Sequence, residues 1–238
     1  MRAIKILHLY PDRMNIYGDF GNIITLQKRM EWRGIKSTYH PVSIGDDLKG
    51  EYDIIFMGGG QDRGQQLVAK DLLLKSDIIH DHARRGTPIL AICGAYQLFG
   101  KYFVTSEGEK LPGIGLFDLV TRASDQRMIG NLVVQNDVFG QMVGFENHSG
   151  ETELLDGSLA LGKVLKGFGN TSQSIGEGII QGNSIGTYMH GSFLPKNPKV
   201  ADFLIEKAVH KIEPNFVLKN LDDSLENKTL QSVINLTN

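Results

Sequence analysis

Two short, wholly apolar runs each break off at a cluster of small residues. Ile54-Ile55-Phe56-Met57 runs into Gly58-Gly59-Gly60, and Ile89-Leu90-Ala91-Ile92 runs into Cys93-Gly94-Ala95. A strand that is apolar at every position has no solvent face. It belongs inside a parallel sheet that helices cover on both sides. The flanking segments agree. Residues 4–9 form a β-rich run, and 22–33 carry Ile23, Leu26 and Met30 at helical spacing, closed by Gly34. A second strand fits 37–42, one or two helices fit 65–85, and a short helix follows the cysteine from Ala95 to about Gly100. Strands and helices in alternation predict an α/β fold with a mainly parallel sheet.

The pattern changes after Gly113. Short, glycine-punctuated β runs at 116–121, 131–135, 142–146, 160–165 and 185–188 predict extra hairpins and edge strands laid on the same core. Residues 198–211 then form an amphipathic helix, with Val200, Phe203, Leu204 and Ala208 on one side. The reading is one domain over 1–212 followed by a tail, 213–238, that is polar and loosely packed from Asn220. Glycine stands at 28 of 238 residues, well above the usual ~7%, which predicts many tight turns and close backbone approaches.

Composition removes several classes of function. With one cysteine there is no internal disulfide framework and no C-x-x-C zinc or redox pair. Lys and Arg number 25 against 27 Asp and Glu, so a basic footprint for nucleic acid is absent. No apolar run approaches the ~20 residues that span a bilayer. Met1-Arg2-Ala3-Ile4-Lys5 leads into a strand rather than a signal peptide, so the expected location is the cytoplasm. No dinucleotide fingerprint or phosphate loop is present, and no metal site is expected.

The cysteine is the most informative residue. A strand that ends in Cys93 between the small residues Ala91, Gly94 and Ala95, and then turns at once into a helix, has the layout of a nucleophile elbow. The helix N-terminus favours thiolate there. A lone cysteine is otherwise a small buried hydrophobe. Gly58-Gly59-Gly60 lies at the same edge of the sheet, where open α/β folds bind ligands. A backbone N–H from Gly59, with that of Gly94, would supply two donors to an oxyanion. Seven histidines compete as the base. His80 and His82, two apart on a helix, are expected at the surface, and His210 lies among charges. His190 closes a strand, and His148, within Gly144–Gly150, is the second candidate.

These segments resemble a family. The glycine run, Ile92-Cys93-Gly94-Ala95-Tyr96-Gln97, the stretch Gly144–Gly150 and Thr187-Tyr188-Met189-His190-Gly191 occur in the order seen in class I glutamine amidotransferases, closest to their cobyric-acid-synthase-like branch. Asn15-Ile16-Tyr17-Gly18-Asp19, Gly21-Asn22-Ile23-Ile24 and Leu194-Pro195-Lys196-Asn197 are similar to the glutaminase subunits of lipid II isoglutaminyl synthases. The resemblance covers about residues 4–212. It implies a flavodoxin-like fold, L-glutamine as substrate, Cys93 as nucleophile and His190 as base. Arg127, Gln97 and Gly60 would lie on the substrate side. It further implies a Mur-ligase-like synthetase partner that carries ATP and Mg²⁺, with lipid II as the acceptor.

One departure matters. The acid of the family's triad stands two residues after the histidine, and here that residue is Ser192. The expectation is that a carboxylate of the partner subunit completes the triad, with Glu146 as an internal substitute. Two other readings stay open on sequence. One is an amidotransferase subunit for a cobyrinic-acid-like carboxylate, and the other is a catalytically silent α/β protein that regulates a partner.

Overall fold

The computed structural model describes residues 1–190 and 192–237; Gly191, part of the histidine motif, lies outside the described residues. The first half alternates as expected: β1 (Ile4–Leu9), α1 (Phe20–Glu31), β2 (Ser37–Val42), β3 (Ile54–Met57), α2 (Asp62–Leu74), α3 (Ser76–Arg84), β4 (Ile89–Ile92) and α4 (Gly94–Leu98). The second half adds β5 (Tyr102–Val104), β6 (Lys110–Pro112), β7 (Leu119–Asn136), β8 (Gly140–Leu154), β9 (Gly162–Lys166), β10 (Gly176–Glu177), β11 (Ile179–Gln181) and β12 (Ser184–Thr187). Three helices close the chain: α5 (Phe193–Lys196), α6 (Pro198–His210) and α7 (Ser224–Thr237).

The main sheet runs β11-β12-β4-β3-β1-β2, parallel throughout except for the antiparallel edge pair β11–β12. β3 and β4 are buried at every position. The register sets Met57 beside Ala91, Ile92 beside Thr187 and Leu9 beside Met57. Four chain segments therefore leave the sheet at one edge: the β1–α1 loop, the glycine run, the cysteine elbow and the histidine segment.

Of the late β runs, 185–188 joins the main sheet as β12, while the others belong to a second sheet, β10-β9-β7-β5-β6, with β8 paired to β7. β7 and β8 make one long hairpin, closed where Asn136 Oδ1 accepts the N–H groups of Val138 and Phe139. Two of the predicted runs, 116–121 and 131–135, are parts of that single strand or its approach. A reciprocal backbone pair joins the sheets, His190 N–H to Phe145 O at 2.8 Å and Phe145 N–H to His190 O at 3.3 Å.

Two expectations change. His82 is fully buried rather than exposed. It packs against the Tyr52 ring, and burial lowers its pKa. The tail carries a helix, and its entry is fixed by Arg29, a buried guanidinium that pairs with Asp202 of α6 and with Asp223 just before α7. Polar composition concealed this because the anchor is a charge pair supplied from α1. Removing one member of a buried ion pair strands the others. Arg29→Ala is expected to lower urea-unfolding stability by about 3 kcal/mol or more. A loss under about 0.5 kcal/mol, the size of an ordinary surface substitution, would refute this anchoring.

Candidate active site

Cys93 sits at the turn between β4 and α4 with φ +49°, ψ −103°, a backbone region that a non-glycine residue occupies only under strain. Its N–H is held by Thr187 O at 2.8 Å, and its carbonyl accepts the Gln97 N–H at 3.0 Å, so both sides of the elbow are fixed. The thiol is buried, and it lines a cavity of about 380 Å³ with Gly60, Gln65, Gln97, Arg127 and Tyr17. Four of those six were expected from sequence.

His190 stands across from it on the β12 side, fully buried. Its Nδ1 lies 3.3 Å from both carboxylate oxygens of Asp19, while among the described residues none stands in hydrogen-bond geometry to Nε2. Burial alone would lower its pKa. The charge available at Cys93 and the hydrogen bond to Asp19 outweigh burial and raise the pKa to about 10. A ring so placed favours its imidazolium form, and a cationic histidine beside a cysteine is the arrangement that readies a sulfur nucleophile.

A carboxylate of this chain thus stands against His190, in the position for which one from a partner was expected. Asp19 is fully buried at the N-cap position of α1, yet it makes no cap bond. Its Oδ2 accepts the Gly59 N–H at 2.7 Å as well as facing His190. Ser192, where the family acid would stand, turns to φ +51° and donates from Oγ to Gly18 O at 2.6 Å, tying down the loop that presents Asp19. Glu146 is no substitute. Its oxygens accept the N–H groups of Phe168 and Gly169, at 2.8 and 2.9 Å, and hold a loop of the second sheet.

The two glycines assigned to the oxyanion hole fare differently. The Gly59 N–H is given to Asp19, so it is not an oxyanion donor. Its missing side chain still matters, because a Cβ there would stand 2.3 Å from His190 Cε1. At Gly94 a Cβ would lie 3.1 Å from the Gly60 nitrogen and 2.6 Å from Gln65 Nε2. The Gly60 backbone nitrogen thus lies close to Gly94, next to the cysteine in the chain, which leaves these two glycines as the candidate pair for an oxyanion. Gln97 joins a buried chain: Oε1 accepts from Gln65 Nε2 at 3.0 Å, and Nε2 donates to Tyr188 OH at 3.1 Å. His148, the second histidine candidate, lies flat on the Tyr188 ring at 3.5 Å and bonds Gly150 O, in the cavity wall away from base duty.

Glu177 supports the histidine segment from beneath. Its Oε1 accepts the Thr187 hydroxyl and the Tyr188 N–H, each at 2.7 Å. Full burial pushes its pKa up to about 8, with the hydrogen bonds opposing. A folded-state pKa above the unfolded 4.5 means the native protein binds the extra proton between these values. That contribution is complete below pH 4.5 and is lost as pH rises to about 8. Between pH 5 and 8 the wild type should lose stability relative to Glu177→Gln, by up to about 1.4 kcal/mol per pH unit. Parallel unfolding curves at pH 5, 6.5 and 8 that show no divergence would exclude the buried proton.

A buried strand-edge thiol and a histidine held against a carboxylate stand at one edge of an α/β sheet, features that fit the family found by comparison with known proteins. The chain belongs to the CobB/CobQ-like glutamine amidotransferase family, whose domain model matches residues 5–198. It is 38% identical to the GatD subunit of the glutamine-hydrolysing lipid II isoglutaminyl synthase of Staphylococcus aureus, over all of this chain and 98% of that one. The corresponding Streptococcus pneumoniae subunit is 39% identical over 87% of this chain. A probable cobyric acid synthase of Methanococcus maripaludis is 30% identical over 82% of this chain, which spans only 39% of that longer protein. Among solved structures, a Thermotoga maritima glutamine amidotransferase superposes with TM-score 0.56 over 99% of this chain and 95% of its own, at 14% identity. The glutaminase domain of Trypanosoma brucei CTPS gives 0.55 over 91% and 97%, at 13% identity. Those two likenesses concern the fold.

Proposed function

We propose that this chain is a glutaminase subunit that releases ammonia from L-glutamine for a Mur-ligase-like synthetase. The observation that carries the reading is the Cys93–His190–Asp19 line at the sheet edge, facing a cavity large enough for one amino acid. Cys93 Sγ attacks the γ-amide carbon of glutamine. The carbonyl oxygen becomes an oxyanion that the Gly60 and Gly94 amides receive. His190 passes its proton to the leaving nitrogen, the C–N bond breaks, and ammonia departs from a thioester. Water then attacks that thioester while His190 takes its proton. Glutamate leaves, and the thiolate returns. Asp19 fixes the ring so that Nε2 faces the sulfur. Arg127, on the cavity wall, suits the substrate's α-carboxylate because a guanidinium can bond both of its oxygens.

The acceptor half lies outside this chain. Amidating a carboxylate requires its activation, and a Mur-ligase-like partner with ATP and Mg²⁺ would provide it. The full-length likeness to GatD subunits favours the α-carboxyl of D-glutamate in the lipid II stem peptide, amidated on the cytoplasmic side of the membrane. Among the described residues no helix is long and apolar enough to cross a membrane.

Ammonia release by the complex tests the mechanism. Cys93→Ala is expected to abolish it, and Asp19→Asn to lower kcat by roughly 10²-fold or more, as removal of an orienting acid does elsewhere. Full activity in Asp19→Asn would return the acid's role to the partner subunit. Full activity in Cys93→Ala would end the glutaminase reading.

A further inference from the structure

Three side chains that line the cavity, Arg127, Asn147 and Tyr17, form a connected strut. Arg127 lies in the irregular part of β7: the β7–β8 register shifts between Ala123 and Met128, so no regular ladder fixes its position. Its placement comes instead from a side-chain bond, Nε donating to Asn147 Oδ1 at 2.7 Å. Among the described residues its terminal nitrogens, Nη1 and Nη2, make no hydrogen bond.

Arginine only donates, so the Asn147 amide can be turned one way. Its Nδ2 then donates to Tyr17 OH at 2.6 Å. Tyr17 is an unusual post. It is a bulky residue at φ +54°, about half exposed, and its ring meets the His190 ring edge to face with centroids 5.0 Å apart. Its loop is pinned on both sides, by Ile16 N–H to Gly59 O at 3.2 Å and by Ser192 Oγ to Gly18 O. Strain of this kind in a half-exposed aromatic persists where the surroundings impose it, and it clusters at ligand clamps.

We infer that Asn147 and Tyr17 are positioning residues. They clamp Arg127 through its Nε so that both terminal nitrogens present a fork to the substrate's α-carboxylate, at a fixed offset from His190 and Cys93. This deepens the glutaminase reading and rests on it. The strut lets the chain select an α-amino acid over a bare amide: the carboxylate is met at a set distance from the thiol, and a ligand without one gains nothing from the fork.

Rates of labelling at the single cysteine test this, read by mass spectrometry on the complex. One reagent is a glutamine-like chloroketone bearing the α-amino-carboxylate. The other is iodoacetamide, which has none. In both, the thiolate forms a C–S bond and a halide leaves, so the chemistry is matched. The preference for the chloroketone should fall about tenfold in Asn147→Ala, less in Tyr17→Phe, and at least as far in Arg127→Ala, which removes the charge-assisted contact itself. In glutamine hydrolysis the loss should fall on KM, with kcat nearly kept. Tyr17 is exposed and Asn147 only half-buried, so neither substitution strands a fully buried partner.

If Asn147→Ala slows both reagents equally, the role is merely structural and the proposal fails. If Arg127→Ala loses the preference while Asn147→Ala keeps it, the strut fails and the glutaminase reading stands. If the wild type has no preference and releases no ammonia from glutamine, the reading beneath it fails.

Discussion

The rest of the structure is arranged around one buried ring. His190 has no access to water, so a charge on it needs compensation from its neighbours. Asp19 supplies that on one side, and Cys93 on the other. The requirement explains features that look unrelated in sequence. Gly59 has no side chain because one would collide with the ring. Its N–H goes to Asp19 because a buried carboxylate needs more than one donor. Ser192 holds the loop that carries Asp19 from the far end of β1.

The sheet makes this affordable. Parallel strands bring β1, β3, β4 and β12 to a common edge, and the connections between them, free of ladder geometry, turn inward there. The second sheet then fixes what the first leaves loose. Phe145 pairs with the backbone of His190, Glu177 fastens Thr187 and Tyr188, and the β7–β8 hairpin delivers Arg127 and Asn147 to the opposite wall.

Much of this was legible in the residues. Two all-apolar strands ending in small residues sufficed for the parallel sheet, the elbow and the edge where chemistry occurs. His190 ranks first among the seven histidines by its strand-end position, with His148 second, and the family resemblance chooses between them. Asp19 was not legible in this way. It stands 171 residues from its partner, at a helix start where aspartate is an ordinary cap, and no spacing rule links it to the histidine. The long hairpin was hidden for a different reason. A bulge and glycines break β7 and β8 into short runs that periodicity reads as separate strands. That the Gly59 N–H is given to Asp19 depends on a single amide direction, which only coordinates reveal.

The central claim is that His190 is cationic at neutral pH because this chain's own Asp19 and Cys93 hold it so. The most direct measurement is an ¹⁵N NMR titration of the His190 ring in the full chain, assigned by comparison with His190→Gln. Both ring nitrogens should remain protonated from pH 6 to 8, with the cation lost only towards pH 10. A ring that is neutral at pH 7.5 and titrates near 6.5, as a free histidine does, would contradict the account.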